Sequence, residues 1–341
     1  MTTEQVPATM RAWVVAGRPG APGRLTLIDR PVPVPGEDEV LVRVRVCGIC
    51  RTDLHLADHD LAPRAEARVP GHEVIGEVVG AGIRATRFAA GDRIGVAWLR
   101  HTCGACRWCR TGAENLCLQA EFTGWDADGG FAEYAVVPEA FAYRIPDALS
   151  DEDAAPLLCS GIIGYRALRR AQLPPAGRLG IYGFGASAHL TAQIALAQGS
   201  EVHVLTRGEA AQELARQLGA ASVGDAYDGP PVHLDAAILF APVGDLVPVA
   251  MAALEQGGTL AVAGSHLSDV PRLDYQAHLF RERTLTSVTA NTRGDGEELF
   301  ALASALGVRA HVTSVPFADA DRALEELAHG DVSGAAVLQV D

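Results

Sequence analysis

The sequence predicts an α/β protein with a doubly wound parallel sheet in its second half, joined to a β-rich first half. Three observations carry this. From about residue 175 apolar strands alternate with helical patterns of similar length, as a parallel sheet with crossover helices requires. Before that point apolar residues recur mainly at every second position, and Pro and Gly mark the turns. At 341 residues the chain has material for about two domains, each with its own core.

In the first half, "EVLVRVRVCG" (39–48) sets Val40, Val42, Val44 and Val46 on one face and Leu41, Arg43 and Arg45 on the other. That pattern is a strand with one buried side. "RPVPVPGEDE" punctuates the chain before it, and "GEVVGAG" and "GDRIGVAW" are further short strands with tight turns. "RLGIYG" opens the second half as an apolar strand. The helical pattern after it places Leu190, Ile194 and Ala197 on one face and stops at Gly199. "EVHVL" is the next strand, and "EAAQELARQLG" a helix with Gly219 as its C-cap. "DAAILF", a helix around Met251 and "GGTLAVAG" continue the alternation. Past about residue 291 it loosens, leaving "VRAHVTSVPF" and a closing strand "GAAVLQV".

A net charge of −14, spread without a basic stripe, argues against nucleic-acid binding. No run approaches the length of a membrane span, so no membrane partner is expected. "MTTEQVPATMRAW" has neither a basic n-region nor an apolar h-region, and the expected location is cytoplasmic. Thiols stay reduced there, which turns clustered cysteines toward metal or catalysis.

Four of the seven cysteines fall within "CGACRWCRTGAENLC" as C-x2-C-x2-C-x7-C: Cys103, Cys106, Cys109 and Cys117. Four thiolates can close a tetrahedral zinc site with no open position, which would be structural; a redox thiol cluster is the alternative. Of the other three, Cys50 opens "CRTDLH" and Cys159 lies in "APLLCSGIIGYRAL", while His72 sits in "PGHEVIGEV". Two thiolates and one imidazole would leave a fourth coordination position free, as catalytic zinc requires. A buried structural role is the alternative for Cys159.

"IYGFGASAHL" gives G-x-G-x-x-A through Gly183, Gly185 and Ala188, directly after a strand and opening a helix. The first glycine allows the turn, the second lets backbone approach a pyrophosphate, and the helix N-terminus faces the anion. At the end of the next strand stand Thr206 and Arg207, where an NAD site would place a carboxylate. The expected cofactor is therefore NADP(H), with Arg207 free to pair with a 2′-phosphate; Glu209 keeps NAD open.

The run "GICRTDLH", then "PGHEVIGEVV", then the four-cysteine loop, then the strand–glycine–helix unit resembles the zinc-dependent medium-chain alcohol dehydrogenases. The resemblance covers nearly the whole chain, in the family's order and approximate spacing. It implies a GroES-like catalytic domain over residues 1–160, to which 292–341 return, and a Rossmann domain over 161–291, with the site in the cleft between them. It implies two zinc ions per chain, a catalytic one on Cys50, His72 and Cys159 and a structural one on the four-cysteine loop. By the same resemblance Asp53 orients His72, Glu73 stands behind the metal, and Thr52 and His55 relay the proton. Cys47 has no metal role in the family.

Trp98 and Leu99 correspond to a wall of the substrate pocket, and Ala57 to a position where some relatives carry tryptophan. Arg51 corresponds to a cofactor-phosphate contact; the basic residue that often follows the last glycine is replaced here by Ala335. The implied activity is reversible oxidation of primary or secondary alcohols with NAD(P), by a homodimer or homotetramer. The rivals are a cinnamyl-alcohol-like aldehyde reductase, a polyol dehydrogenase, against which Cys159 speaks, and a zinc-bearing regulatory protein without catalysis.

Overall fold

The computed structural model describes residues 6–15, 24–264, 266–332 and 334–340. It divides into two units. One holds the chain up to Cys159 with Asn291–Phe300 and the residues from His311 onward; the other holds Ser160–Ala290 and Ala301–Ala310.

The first unit is organised on the strand Glu39–Ile49, which pairs antiparallel with Val74–Ala81, Tyr134–Pro138 and Ala335–Gln339. The sheet runs Val312–Pro316, Ala335–Gln339, Glu39–Ile49, Val74–Ala81, Arg93–Val96 and Ala142–Arg144. Its core gathers Val40, Val42 and Val44, which alternation singled out, with Val74, Ile94, Phe131 and Leu338. The one-sided burial expected of residues 39–48 holds only in part. Arg43 and Arg45 reach the Glu77 carboxylate at 3.5 and 2.7 Å, but Leu41 and everything from Val46 to Ile49 is buried. A strand with neighbours along both edges and chain packed over both faces has no solvent side at that end.

The second unit is a parallel sheet in the order Ser222–Gly224, Glu201–Leu205, Arg178–Tyr182, Leu234–Leu239, Leu254–Val262 and Thr284–Ser287. The fold class read from the sequence is thus the one observed. Tyr182, Leu205, Leu239, Met251 and Leu260 build the core on one face. The chain winds outward from Arg178–Tyr182 and then crosses back to its other side at Leu234–Leu239. That reversal makes the carboxyl end of Arg178–Tyr182 the switch point, where open α/β sheets place ligands.

Where the sequence pattern loosens, the structure has the 14-residue helix Arg293–Leu306. Gly294 and Gly296 in "RGDGEELF" imitate a turn. The helix forms because Asp295 Oδ2 accepts the Thr292 backbone N–H at 2.8 Å and Leu299, Phe300 and Ala303 are buried. No helix among the described residues is long and apolar enough to cross a membrane.

Candidate active site

Cys50 follows the central strand and caps the helix Arg51–Ala57. Its Sγ accepts the Thr52 backbone N–H at 3.3 Å, while Asp53 Oδ2 accepts the Cys50 N–H at 2.9 Å. This is a capping box with a thiol in the place usually held by a hydroxyl. Asp53 Oδ1 accepts the Gly71 N–H at 2.9 Å and lies 3.3 Å from His72 Nδ1. His72 Nε2 is then 3.2 Å from Cys50 Sγ. Cys159 arrives from a π-turn, Leu157–Gly161, that follows the helix Asp151–Pro156; such turns change the direction of the side chains they carry. One donor atom from each of Cys50, His72, Glu73 and Cys159 lies within 4.8 Å of the others.

The cluster is electrostatically one-sided. A hydrogen bond from Cys159 holds the Cys50 thiol well below its usual range, helped against burial by His72 and Thr52. The neighbours bear the consequence. Cys159 is pushed well up by that same hydrogen bond and by burial. Glu73 is pushed well up by burial and by the Cys50 charge. Burial alone would lower His72, but Cys50 and Asp53 raise it well above its usual value. Closely set acidic groups around one imidazole, all removed from water, are the environment a divalent cation relieves. Tetrahedral zinc with sulfur at about 2.3 Å and nitrogen at about 2.0 Å sets its donors roughly 3.5–3.8 Å apart, near the spacing here. Glu73 Oε1 is buried without a hydrogen-bond partner, and with Asp53 beside its Nδ1, His72 turns its Nε2 toward Cys50. The donor set fits a metal ion.

Glu73 reaches this place because residue 48 has no side chain. Gly48 donates its N–H to Glu73 O at 2.9 Å, and a Cβ on it would fall 1.8 Å from Glu73 Oε2. Gly48→Ala will displace the carboxylate, at a cost of about 1–3 kcal/mol in stability. Equilibrium unfolding with zinc titration checks this, and wild-type stability together with wild-type zinc affinity would refute it.

The four-cysteine loop forms a second group. Cys103, Cys106, Cys109 and Cys117 also place their sulfurs within 4.8 Å of one another. Cys109 Sγ is 3.9 Å from Cys103 Sγ and 3.5 Å from Cys106 Sγ, close to the edge of a zinc tetrahedron, about 3.8 Å. Backbone amides donate to these sulfurs: Cys106 N to Cys103 Sγ at 3.3 Å, Cys103 N to Cys117 Sγ at 3.5 Å. The amides of Ala105 and Cys106 lower the Cys103 thiol to about 6, whereas desolvation raises Cys109 to about 11. Cys47 stands apart from both groups, buried, its thiol well raised by desolvation.

Thr52 and His55 lie one turn apart on the capped helix, and His55 Nδ1 is 3.1 Å from Asp60 Oδ2. Trp98 meets His72 edge-on at 4.9 Å. Leu99 and Ala57 are buried, at 1% and 6% exposure, with Ala57 in the hydrophobic core. Gly183 adopts φ +85°, and a Cβ there would strike the Ala241 backbone nitrogen at 2.8 Å. Gly185 caps the helix Ala186–Ala197 and faces open space, while Ala188 is fully buried. Thr206 is buried at the end of Glu201–Leu205; Arg207 is exposed, its guanidinium 5.5 Å from the centre of the Tyr227 ring. Arg51 is exposed on the first turn of the capped helix.

The residues 36–147 match the alcohol dehydrogenase GroES-like domain. Over its full length the chain is 56% identical to a probable alcohol dehydrogenase, AdhA, of Mycobacterium tuberculosis, with 100% of both chains covered. The chain belongs to the medium-chain alcohol dehydrogenase family. Among solved structures, this dehydrogenase superposes on a cinnamyl alcohol dehydrogenase from Sorghum bicolor with a TM-score of 0.87, at 28% identity over 97% of each chain. It superposes on a cobalt- and zinc-bound thermostable alcohol dehydrogenase from Pyrobaculum aerophilum with a TM-score of 0.85, at 27% identity over 97% of this chain and 100% of that one.

Phe122 and Trp125 of the dehydrogenase escaped the sequence reading. Both rings lie nearly parallel to Trp98, at 4.9 and 6.2 Å. They come from the segment after the cysteine loop, where the two-residue strand Glu121–Phe122 pairs with Leu99–His101. A pairing that short leaves no periodic trace in a sequence; only the clustered aromatics of "EFTGW" hinted at it. A separate cavity of about 490 Å³ is lined by Arg30, Arg68 and Arg100 with Glu39, Asp126 and Asp128. Arg100 pairs with Glu39 at 3.0 Å and Arg68 with Asp128 at 2.8 Å, so its charges largely cancel.

Proposed function

We propose that this member of the family is a zinc-dependent alcohol dehydrogenase that interconverts alcohols with aldehydes or ketones. The observation that carries the proposal is the convergence of Cys50, His72 and Cys159, with Glu73, within 4.8 Å. When bound, zinc supplies a Lewis acid that polarises the alcohol oxygen, and the nicotinamide dinucleotide supplies the hydride acceptor. Asp53 fixes the His72 ring, the role that carboxylates beside metal-bound histidines commonly hold. Thr52 would accept the alcohol proton at its hydroxyl while giving up its own, and His55, one turn on and paired with Asp60, would pass a proton on to solvent; such help is worth about 10²–10⁴-fold. Glu73 stands in reserve beside the ligands. The four-cysteine loop holds a second, structural zinc.

Gly183, Gly185 and Ala188 seat the dinucleotide pyrophosphate at the start of Ala186–Ala197. We assign NADP(H) as the preferred cofactor, because Thr206 and Arg207 bring no carboxylate to the ribose and Arg207 can pair with a 2′-phosphate. Arg51 is a second phosphate contact, and Trp98, Leu99 and Ala57 border the alcohol. A homodimer or homotetramer in the cytoplasm fits an acidic chain whose sheet edge, Thr284–Ser287, carries the exposed Leu285.

The zinc-loaded protein assayed at 340 nm with NADP and NAD over a panel of alcohols tests the activity; no absorbance change with any alcohol would refute it. Arg207→Ala will raise the Michaelis constant for NADP by about 10-fold, the worth of a charged hydrogen bond, and leave that for NAD nearly unchanged. Equal effects on both would overturn the cofactor assignment.

A further inference from the structure

The connection between the capped helix and His72 carries Arg64. Its guanidinium lies over the Trp125 ring, 4.0 Å from the centroid, and pairs with the Asp126 carboxylate. From the same connection Ala62 O accepts the Trp125 indole N–H at 2.9 Å. Asp126 Oδ2 in turn accepts the Phe122 backbone N–H at 2.9 Å. Trp125 lies within 6° of parallel to Trp98, and Phe122 packs 5.9 Å from Trp125 and 4.9 Å from Trp98. Trp98 meets the His72 ring. Contacts therefore run without a break from an exposed arginine to a proposed zinc ligand.

The rings do not form an ordinary core. Phe122, Trp125 and Trp98 are all only partly buried, and the Arg64 side chain keeps 52% of its surface in water. Three near-parallel, partly exposed rings beside a candidate metal centre form a polarizable aromatic wall. Such a wall favours another aromatic ring over an alkyl chain, by about two- to tenfold per ring pair.

We propose that Arg64 is a positioning residue which, by clamping Trp125, holds the Trp125–Phe122–Trp98 wall beside His72 and gives the site a preference for alcohols carrying an aromatic ring. The inference rests on the dehydrogenase reading above. Without the clamp, Trp125 keeps its indole hydrogen bond to Ala62 O and its ring contacts with Phe122 and Trp98, but nothing holds its outer side and the wall loosens there. Aryl substrates lose more than alkyl ones, because only they use the wall.

The test compares kcat/KM for benzyl alcohol and ethanol in the zinc-loaded enzyme, alongside quenching of tryptophan fluorescence by benzyl alcohol. The wild type will favour benzyl alcohol. Arg64→Ala will lower the benzyl-to-ethanol ratio about two- to fivefold, mainly through the KM for benzyl alcohol, as loss of an exposed cation–π contact allows. Trp125→Ala will lower it about tenfold. Arg64→Lys, which keeps the charge but loses the planar stacking, will restore only part. An unchanged ratio, an equal loss for both alcohols, or a wild type that favours ethanol would overturn the proposal. If no alcohol is oxidised, the dehydrogenase reading fails instead, and the quenching titration still decides: equal benzyl alcohol affinity in wild type and Arg64→Ala refutes the clamp.

Discussion

Cys50→Ser will leave a folded protein that oxidises alcohols at less than about 10⁻³ of the wild-type rate. The serine hydroxyl can still accept the Thr52 N–H, so the helix keeps a cap worth about 1 kcal/mol, and Asp53 keeps its bond to the backbone of residue 50. What disappears is the thiolate. A serine hydroxyl does not ionise near neutral pH, and His72 and Cys159 alone would not hold zinc in the proposed three-ligand site. Loss of a group that merely orients a ligand costs about 10–100-fold, and loss of a ligand itself must cost more. Metal analysis should show one zinc fewer per chain with an unchanged circular dichroism spectrum. Full activity with undiminished zinc would place the chemistry elsewhere.

Cys106→Ala will act on stability before it acts on turnover. The loop from Cys103 to Cys117 has little regular structure to hold it, one four-residue helix, Arg107–Arg110, and one 3₁₀ turn, Glu114–Leu116. Of its cysteines only Cys117 is buried. With the proposed zinc bound, such a segment would depend on it, since structural zinc contributes roughly 10–16 kcal/mol of apparent binding energy in small peptides. One end has a second anchor: Glu114 accepts hydrogen bonds from the Arg293 guanidinium at 2.7–3.2 Å, and Arg293 holds its carboxyl below the usual range. The damage should therefore concentrate in residues 103–113. Calorimetry should show Tm lower by on the order of 10 °C. Trypsin should cut after Arg107 or Arg110 in the variant and not in the wild type. A normal melting temperature in a variant that has lost one zinc would mean the loop holds itself.

Much of this was legible in the residues. The alternation of Val40, Val42, Val44 and Val46 marked the strand that carries Cys47 to Ile49 into the site, because a two-residue period survives in any half-buried strand. The strand–glycine–helix unit at 178–197 was legible because a tight turn and a capped helix each impose local residue types. The four-cysteine loop was legible because its ligands are close along the chain. The meeting of Cys50, His72 and Cys159 was not visible in their spacing. It was expected through the family resemblance, which carries that long-range information. The helix Arg293–Leu306 was hidden by two glycines, and the Trp98–Phe122–Trp125 wall by a pairing too short to leave a period.

What the sequence determined alone is what local chemistry determines: which strongly periodic segments are strands and helices, which turns need glycine, and which thiols are near enough to share one ion. What the tertiary structure decided is how distant groups bear on each other. It brought Glu73 into the space left by Gly48 and set a low-lying Cys50 thiol against a raised Cys159 and Glu73. It also laid Arg64 across Trp125. Electrostatic and packing energies depend on distance through space, and a sequence records only distance along the chain.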